Sequence, residues 1–202
     1  MSIPTNAPQN PRLILASTSA YRRELLERLH IPFQVISPKV DETPLTGEST
    51  LELALRLAQA KATAVAKEHP DAWVIGSDQV ADLCGAAIGK PGNFERALAQ
   101  LQLMRGQVVT FQTALCLMKG DTQTTLCIPT AVTFRKLPDS TLESYLLAEE
   151  PYDCAGSAKS EGLGISLLES IKSDDPTALI GLPLIALTGL LRDAGFAIPS
   201  KK

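Results

Sequence analysis

The stretch RLILASTSAYRRELLERL, residues 12–29, joins a short apolar run to three hydroxyl residues and then to an amphipathic segment. The run Leu13–Ala16 predicts a buried strand, and Ala20–Leu29 predicts a helix with Ser19 as its N-cap. A strand that leads directly into a helix leaves the first backbone N–H groups of that helix unpaired. Such a turn is typical of anion sites in α/β proteins.

Arg22 and Arg23 fall in the first turn of this predicted helix, where positive charge opposes the helix dipole. A bound phosphate would explain this placement, because either arginine and the hydroxyl of Ser17 would donate charge-assisted hydrogen bonds to it. The alternative is an ordinary cap with solvated arginines, for which Glu24 supplies local compensation. This stretch alone leaves both interpretations open.

The composition bounds the class of protein. The chain has 202 residues, 45% of them hydrophobic, which suffices for one domain or two small lobes. A formal net charge of −3 and a pI near 5.5 disfavour long nucleic acid as a partner. The four cysteines form no C-x-x-C pair, which disfavours a zinc site. The most apolar stretch, 178–191, is too short to span a bilayer. Residues 1–10 lack the pattern of a secretory leader. We therefore expect a cytoplasmic protein without a membrane partner.

Apolar runs and helical patterns alternate along the rest of the chain. Further strands are predicted near 33–36, 73–76, 108–117, 130–134 and 164–168, and further helices at 50–67, 94–104, 140–148 and 183–193. The helix at 50–67 begins with a capping box formed by Ser49 and Glu52, and Pro183 is expected at the first position of the last helix. The long runs 107–120 and 124–134 indicate antiparallel pairing. The whole pattern is that of a mixed α/β protein.

Lys61 is out of place on the second predicted helix. At 100° per residue it lies inside the apolar arc, between Ala54 and Leu57. Its neighbours at i±4, Leu57 and Val65, offer no ion pair. The side chain therefore either extends to the surface or reaches an anion outside the helix.

Acidic residues follow two of the predicted strands. Asp41 and Glu42 come after 33–36, and Asp78 comes after the run WVIGS. Open α/β sheets place ligand chemistry at such strand ends. Carboxylates there suit Mg²⁺ or Mn²⁺, which bind through one or two carboxylates together with substrate phosphates. Each acid could also be an ordinary turn residue.

Two further segments carry charge beside small residues. In GAAIGKPG, residues 85–92, Lys90 does not fit a P-loop, and a hairpin tip with an exposed lysine is the plain interpretation. The run YDCAGSAKSEGLGIS, residues 152–166, carries Lys159 and Glu161. Its small residues would let the backbone approach a ligand closely, or would only form a bend.

Six ordered segments resemble the motifs of the Maf family of nucleoside triphosphate pyrophosphatases. They are LILASTSAYRRELLERL, VDETP, LALRLAQAKA, VIGSDQV, GKP and CAGSAKSEGLGI, and together they cover nearly the whole chain. The resemblance implies a two-lobed, ITPase-like α/β fold with an elongated mixed sheet, flanking helices and a deep cleft. We accordingly expect one Maf-like domain over 12–197, with tails at 1–11 and 198–202.

The resemblance also implies a reaction and a set of site residues. The family hydrolyses a nucleoside triphosphate to a monophosphate and pyrophosphate with a divalent cation, Mg²⁺ or Mn²⁺. The implied catalytic residues are Asp78, Glu42 and Lys61, with Glu42 and Asp78 also serving the metal and Asp78 in the position of the proton acceptor. The implied phosphate-binding residues are Ser17, Arg22 and Lys90, and the implied specificity residues are Tyr21, Gln79 and Glu161.

The motifs GSDQV and AGSAKSEGLGI resemble those of the subgroup that acts on 7-methyl-GTP. The ring of Tyr21 and the carboxylate of Glu161 would both favour a cationic base, such as a guanine methylated at N7. The runner-up is a dTTP/UTP pyrophosphatase, and an alternative of another class is a nucleotide-binding regulator of cell division. The sequence leaves open whether the protein is a monomer or a homodimer.

Overall fold

A computed structural model describes residues 11–199 of the chain. The helices in this part are α1 (Ala20–Glu27), α2 (Thr50–Ala66), α3 (Phe94–Met104), α4 (Asp139–Glu149) and α5 (Leu184–Asp193). The strands are β1 (Leu13–Ala16), β2 (Gln34–Ile36), β3 (Trp73–Leu83), β4 (Ala86–Ile88), β5 (Val108–Lys119), β6 (Thr122–Phe134) and β7 (Leu168–Lys172). No helix within 11–199 is both long and apolar enough to cross a membrane.

The strands form one mixed sheet in the order β2-β1-β3-β5-β6-β7, with β4 paired to β3. β1 runs parallel to β2 and β3, and the other pairs are antiparallel. The mixed α/β class is thereby confirmed, and so is the antiparallel pairing of the two long central strands. α1 and α5 cover one face of the first half of the sheet, α2 covers the other face, and α3 and α4 pack on the second half.

Strand β3 has two different partners along one of its edges. β1 pairs with it from Trp73 to Gly76, and β4 pairs with it from Ala81 to Leu83. Residues 77–80 have no strand partner on this edge among the described residues. The sheet therefore opens beside the middle of β3, and this opening is where a ligand can approach it.

Two helix starts match the sequence closely. Ser49 and Glu52 form the expected capping box at α2, and the Ser19 hydroxyl caps α1 by accepting a hydrogen bond from the Arg22 N–H. Pro183 differs by one position, because it is the N-cap residue of α5 rather than its first helical residue. The side chains of Asp175 and Thr177 accept the first N–H groups of α5 instead.

The predicted strand at 164–168 is wrong. Residues Leu163–Leu167 form a 3₁₀ turn, and β7 begins only at Leu168. The chain folds back on itself here, since a Cβ at Gly164 would lie 2.5 Å from the carbonyl oxygen of Lys159. The apolar run that begins with Gly164 therefore forms a tight turn rather than a strand.

Strand β3 is also longer than predicted, and β4 was not predicted. The polar residues Ser77, Asp78 and Gln79 interrupt the apolar run that indicated a strand at 73–76, yet the strand continues through them to Leu83. Lys90 is not at the hairpin tip, because the β3–β4 turn is at Cys84–Gly85 and Lys90 follows β4.

Nearly all of the predicted tails, 1–10 and 200–202, lies outside the described residues.

Candidate active site

A cleft of about 970 Å³ opens beside the unpaired edge of β3. The start of α1, the loop after β2, the end of β4, the segment 153–161 and the loop 179–181 surround it. The nine residues proposed from the sequence all line this cleft: Ser17, Tyr21, Arg22, Glu42, Lys61, Asp78, Gln79, Lys90 and Glu161. They come from segments up to 144 residues apart, so the fold alone brings them together.

Lys61 lies at the floor of the cleft between two carboxylates. Its Nζ is 2.6 Å from Asp78 Oδ1 and 2.7 Å from Glu42 Oε1. Lys61 is only 6% exposed, so its side chain does not extend to the surface. The apolar position on α2 therefore directs the ammonium towards anions inside the protein, and the carboxylates offset the cost of burying it.

The close packing of α2 on β3 sets the position of Lys61. Gly76 faces α2, and a Cβ there would lie 2.1 Å from the carbonyl oxygen of Ala58. Asp78 is two residues further along β3 and points to the same face, because side chains of a strand alternate. The absence of a side chain at Gly76 thus allows the helix that carries Lys61 to approach the strand that carries Asp78.

The start of α1 forms a second wall of the cleft. Ser17 is buried and its Oγ accepts a hydrogen bond from the backbone of Ser19 at 3.1 Å. The first turn of α1 contains no acidic residue, so its positive end is left uncompensated within the helix. Arg22 Nε donates to the Gly181 carbonyl at 2.9 Å. This wall therefore combines backbone N–H groups with a guanidinium.

Burial and neighbouring charges change the pKa values of Arg22 and Glu42. Burial lowers the pKa of Arg22, and the charges of Asp78 and Glu42 oppose that change. Burial would raise the pKa of Glu42, but the hydrogen bond and charge of Lys61, with the charges of Lys90 and Arg22, bring it below its ordinary value. Glu42 is therefore an ionised carboxylate surrounded by three cations.

The opposite end of the cleft is formed by Tyr21 and the segment 153–161. The Tyr21 hydroxyl donates to Asp153 Oδ2 at 3.4 Å, and Lys159 Nζ lies 5.8 Å from the centre of the Tyr21 ring. Burial raises the pKa of Tyr21, with Cys154, Asp153 and Glu161 adding to the effect. The ring already has the Lys159 ammonium above it, and the carboxylates of Asp153 and Glu161 lie nearby, so this end of the cleft accommodates positive charge.

Cys154 lies in this end of the cleft and its Sγ is 3.6 Å from the Tyr21 hydroxyl. Burial raises the pKa of the Cys154 thiol to about 11. Because only a thiolate is an effective nucleophile, this thiol is not an activated one.

Gln79 points to the face of β3 opposite Asp78. Its Nε2 donates to Thr113 Oγ1 and to the carbonyls of Ala178 and Leu179, each at 2.9 Å. Asp153, Thr113 and the loop 178–181 were not predicted from the sequence. Asp153 could have been noticed within the small-residue run, whereas nothing in the sequence distinguishes Thr113 from other threonines of a buried strand.

The donor set for a metal ion consists of Glu42 and Asp78. Within residues 11–199 there is no group of three or more His, Cys, Asp or Glu side chains that could hold an ion. Two carboxylates on one cleft fit Mg²⁺ or Mn²⁺ of the kind that completes its coordination with substrate phosphates and water. They do not form a closed structural site.

The chain is similar to one protein family and to several relatives that share one name. The family described as Maf-like protein matches residues 12–194. The 7-methyl-GTP pyrophosphatase of Polaromonas sp. is 62% identical over 198 residues, which cover 96% of this chain and 88% of that protein. The protein of the same name from Cupriavidus metallidurans is 62% identical over 188 residues, 92% of this chain and 94% of its own.

One further relative and one solved structure also match the chain. The 7-methyl-GTP pyrophosphatase of Burkholderia thailandensis is 61% identical over 199 residues, with coverage of 96% and 92%. Among solved structures, the Ham1 protein of Staphylococcus aureus matches 62% of this chain and 72% of its own, with a TM-score of 0.44 and 17% identity. With a family match over nearly its whole length and relatives of this identity, the chain belongs to the Maf family.

Proposed function

We propose that the chain is a nucleoside triphosphate pyrophosphatase that hydrolyses 7-methyl-GTP to 7-methyl-GMP and pyrophosphate. One observation carries the reaction: Lys61 lies between Asp78 and Glu42 on the floor of a cleft whose wall is the start of α1. The names of the relatives support the substrate. This arrangement supplies a proton acceptor beside several cations, as cleavage of a phosphoanhydride requires.

In the proposed reaction a water molecule attacks the α phosphorus in line with the bond to the bridging oxygen. Asp78 takes the proton of this water, and a new bond forms between the water oxygen and the α phosphorus. The bond between the α phosphorus and the bridging oxygen breaks, and its electron pair leaves with pyrophosphate. The products are a nucleoside monophosphate and pyrophosphate, so atoms and charges balance.

The cations at this end of the cleft would bind the triphosphate. Arg22 offers its remaining N–H groups, Lys61 and Lys90 offer ammonium charge, and Ser17 with the first turn of α1 offers hydroxyl and backbone donors. Ser17 and Arg22 are each fixed by a hydrogen bond, and Lys61 is fixed by two ion pairs. They would therefore stabilise the charge that develops on the pyrophosphate leaving group without reorganising.

Glu42 and Asp78 would hold a divalent cation, Mg²⁺ or Mn²⁺, shared with the phosphates. When bound, such an ion neutralises phosphate charge and lowers the pKa of a coordinated water. Lys61 contacts both carboxylates. It would keep them oriented towards the same point.

The other end of the cleft would bind the base. Methylation at N7 makes guanine cationic, and the ring of Tyr21 with the carboxylates of Glu161 and Asp153 would favour such a base by about 0.5–2 kcal/mol for the ring alone. A neutral pyrimidine would gain none of this charge attraction. The charge of this region therefore favours 7-methyl-GTP over dTTP or UTP.

The cellular setting that we propose is the cytoplasm, where a free nucleotide is the partner. A homodimer and a monomer both stay open from the sequence. The residues to which we assign the reaction all line the cleft of one chain.

Initial rates of pyrophosphate release from a panel of nucleotides test this proposal. The panel contains 7-methyl-GTP, GTP, dTTP and UTP, with Mg²⁺ and Mn²⁺ in parallel. We expect 7-methyl-GTP to give the highest kcat/KM. Faster turnover of dTTP or UTP would support the pyrimidine enzyme instead, and tight binding of nucleotides without hydrolysis would support a regulator.

A further inference from the structure

The segment that carries Glu42 has no regular structure and is attached to α2. Residues 37–49 connect β2 to α2 without a helix or a strand. Within the described part of the chain, the hydrogen bonds and ion pairs that reach residues 41–48 from outside this range come only from Arg56 and Lys61. Both residues belong to α2, so this helix supplies the polar anchors of the segment.

Arg56 makes three of these contacts. Its Nε and Nη2 donate to the two carboxylate oxygens of Glu48 at 2.5 Å and 2.8 Å. The same Nη2 donates to the Thr43 carbonyl at 3.1 Å. A guanidinium matches the two oxygens of a carboxylate, which gives this pair a defined geometry. Arg56 therefore holds the segment at two places, a side chain at 48 and the main chain at 43.

Glu48 connects Arg56 to the backbone of the segment. The Glu48 side chain is only 7% exposed, and its Oε2 also accepts from the Leu45 N–H at 3.0 Å. The Glu48 N–H donates to the Leu45 carbonyl at 3.1 Å. The hydrogen bonds from Arg56 and from the Leu45 N–H lower the pKa of Glu48 to about 2, so this carboxylate is ionised at neutral pH. The turn 45–48 is thus closed by hydrogen bonds and held on Arg56.

Thr43 connects these contacts to Glu42. Its carbonyl accepts from Arg56, and its N–H donates to Asp41 Oδ1 at 2.9 Å. Both main-chain polar groups of the residue that follows Glu42 are therefore paired. Since that N–H belongs to the peptide bond between Glu42 and Thr43, the backbone of Glu42 is fixed on its carboxyl side.

The other anchor, Lys61, is shared with the reaction site. Its ammonium contacts Asp78 as well as Glu42, and we expect it to offer charge to the phosphates too. The Glu42 side chain is 60% exposed, and an ion pair to such an exposed group holds it only weakly. Arg56 does not line the cleft, so its contacts do not compete with a substrate.

We infer that Arg56 is a positioning residue which, through Glu48 and the Thr43 carbonyl, keeps the Glu42 carboxylate beside Asp78. The inference rests on the proposed function, in which these two carboxylates act together. Arg56 touches neither substrate nor metal ion and acts only through the main chain of 43–48. Without it, the segment would be free to carry Glu42 away from the cleft floor.

Hydrogen exchange of the protein without nucleotide or metal ion tests whether Arg56 holds the segment. In Arg56→Gln, the backbone amides of 43–48 should exchange about tenfold faster than in the wild type, and Glu48→Gln should show the same direction. Arg105→Gln is the matched control, because the Arg105 side chain is likewise 31% exposed, pairs with Asp139 and does not line the cleft. Unchanged exchange of 43–48 in both Arg56→Gln and Glu48→Gln would overturn the inference.

Kinetics of 7-methyl-GTP hydrolysis separate position from charge. Arg56→Gln should lower kcat/KM about tenfold and raise the Mg²⁺ concentration that gives the half-maximal rate, whereas Arg105→Gln should change neither. Arg56→Lys keeps a positive charge in the field of Asp78 but cannot contact both oxygens of Glu48, so it should lose nearly as much. Wild-type kinetics in Arg56→Lys would show that the charge matters rather than the position, and would contradict the inference.

A double variant tests whether Arg56 acts through Glu42. In the Glu42→Gln background the positioned carboxylate is absent, so adding Arg56→Gln should lower kcat/KM by no more than about twofold. A further tenfold loss would mean that Arg56 acts by another route, and the inference would be wrong.

The two proposals fail in different ways. If the wild type released no pyrophosphate from 7-methyl-GTP, the proposed function would be wrong, and the exchange experiment would still decide whether Arg56 holds the segment. If hydrolysis were normal and the exchange of 43–48 did not depend on Arg56 or Glu48, only the inference would be lost.

Discussion

The two ends of the cleft are built from different kinds of structure. At the phosphate end, Lys61 and Asp78 are carried by α2 and β3, are almost completely buried and contact each other at 2.6 Å. At the base end, Asp153 and Glu161 lie in a segment of turns, and Tyr21 contacts Asp153 only at 3.4 Å. The phosphate end is thus rigid and densely charged, whereas the base end is more open.

The two ends of the cleft have different tasks in the proposed reaction. Groups that act on a reacting phosphorus have to be held within a fraction of an ångström, and regular elements do this best. Groups that select a base can lie on loops, where substitutions change the substrate and leave the chemistry in place. Changes at the phosphate end should therefore affect all substrates alike, and changes at the base end should affect one substrate more than another.

The largest expected effect is at the phosphate end. Asp78→Asn should lower kcat for pyrophosphate release about 10²–10⁴-fold for every nucleotide, because the proposed proton acceptor is removed. The change is nearly isosteric, so the fold should be retained, with a loss of stability because the buried ion pair with Lys61 is broken. Asp121→Asn, in an exposed turn, serves as the control and should be unaffected. Near-normal release of pyrophosphate by Asp78→Asn would remove this residue from the mechanism.

The second-largest effect is expected at Gly76, where α2 packs closely on β3 and so positions the phosphate end. Gly76→Ala would place a Cβ 2.1 Å from the Ala58 carbonyl. We expect the free energy of unfolding, measured with urea, to fall by about 1–3 kcal/mol and activity to fall with it. Gly189→Ala is the matched control, because its Cβ meets nothing within 4 Å and it lies in α5, where alanine is favoured. Equal stability of the two variants would show that α2 does not need this close contact.

A selective effect is expected at the base end. Glu161→Gln should lower kcat/KM for 7-methyl-GTP about tenfold and leave dTTP and UTP nearly unchanged, because only the methylated base carries a charge. Side-by-side initial rates measure the ratio, and Glu169→Gln on an exposed position of β7 is the control. Equal losses for all three nucleotides would refute charge matching and the contrast between the two ends.

The smallest effect is a pH dependence of stability. The pKa of Glu42 is lower in the folded protein than its ordinary value, so the ionised side chain stabilises the fold above that ordinary value, about 4.3. This contribution is lost as the pH falls through the folded-state pKa. It should stay below about 1 kcal/mol, because the Glu42 side chain is 60% exposed to water.

Urea unfolding of the wild type and of Glu42→Gln at several pH values measures this contribution. The difference in free energy of unfolding should be constant from neutral pH to about pH 5 and should shrink below that. A difference that does not change with pH would mean that the ion pair between Lys61 and Glu42 does not stabilise the fold.

The phosphate end was also the more predictable one. A lysine in an apolar arc and carboxylates after strands are local anomalies, and both led to residues that meet in the cleft. The continuation of β3 through Ser77, Asp78 and Gln79 was missed, since polar residues break the apolar pattern although β5 pairs with all three. Tertiary pairing outweighs the local pattern at such a place.

The base end was predicted less well. Residues 163–167 were expected to be a strand and form a 3₁₀ turn, because Gly164 allows a backbone contact that no local pattern records. Thr113 and the carbonyls at 178 and 179 act through backbone placement and register, which depend on the complete fold. The identity of the side chains alone could not indicate these contacts.

Hydrolysis in ¹⁸O-labelled water tests the central claim most directly. If water attacks the α phosphorus beside Asp78, mass spectrometry should find one labelled oxygen in 7-methyl-GMP and none in pyrophosphate. Label in pyrophosphate, or release of orthophosphate together with 7-methyl-GDP, would contradict the account.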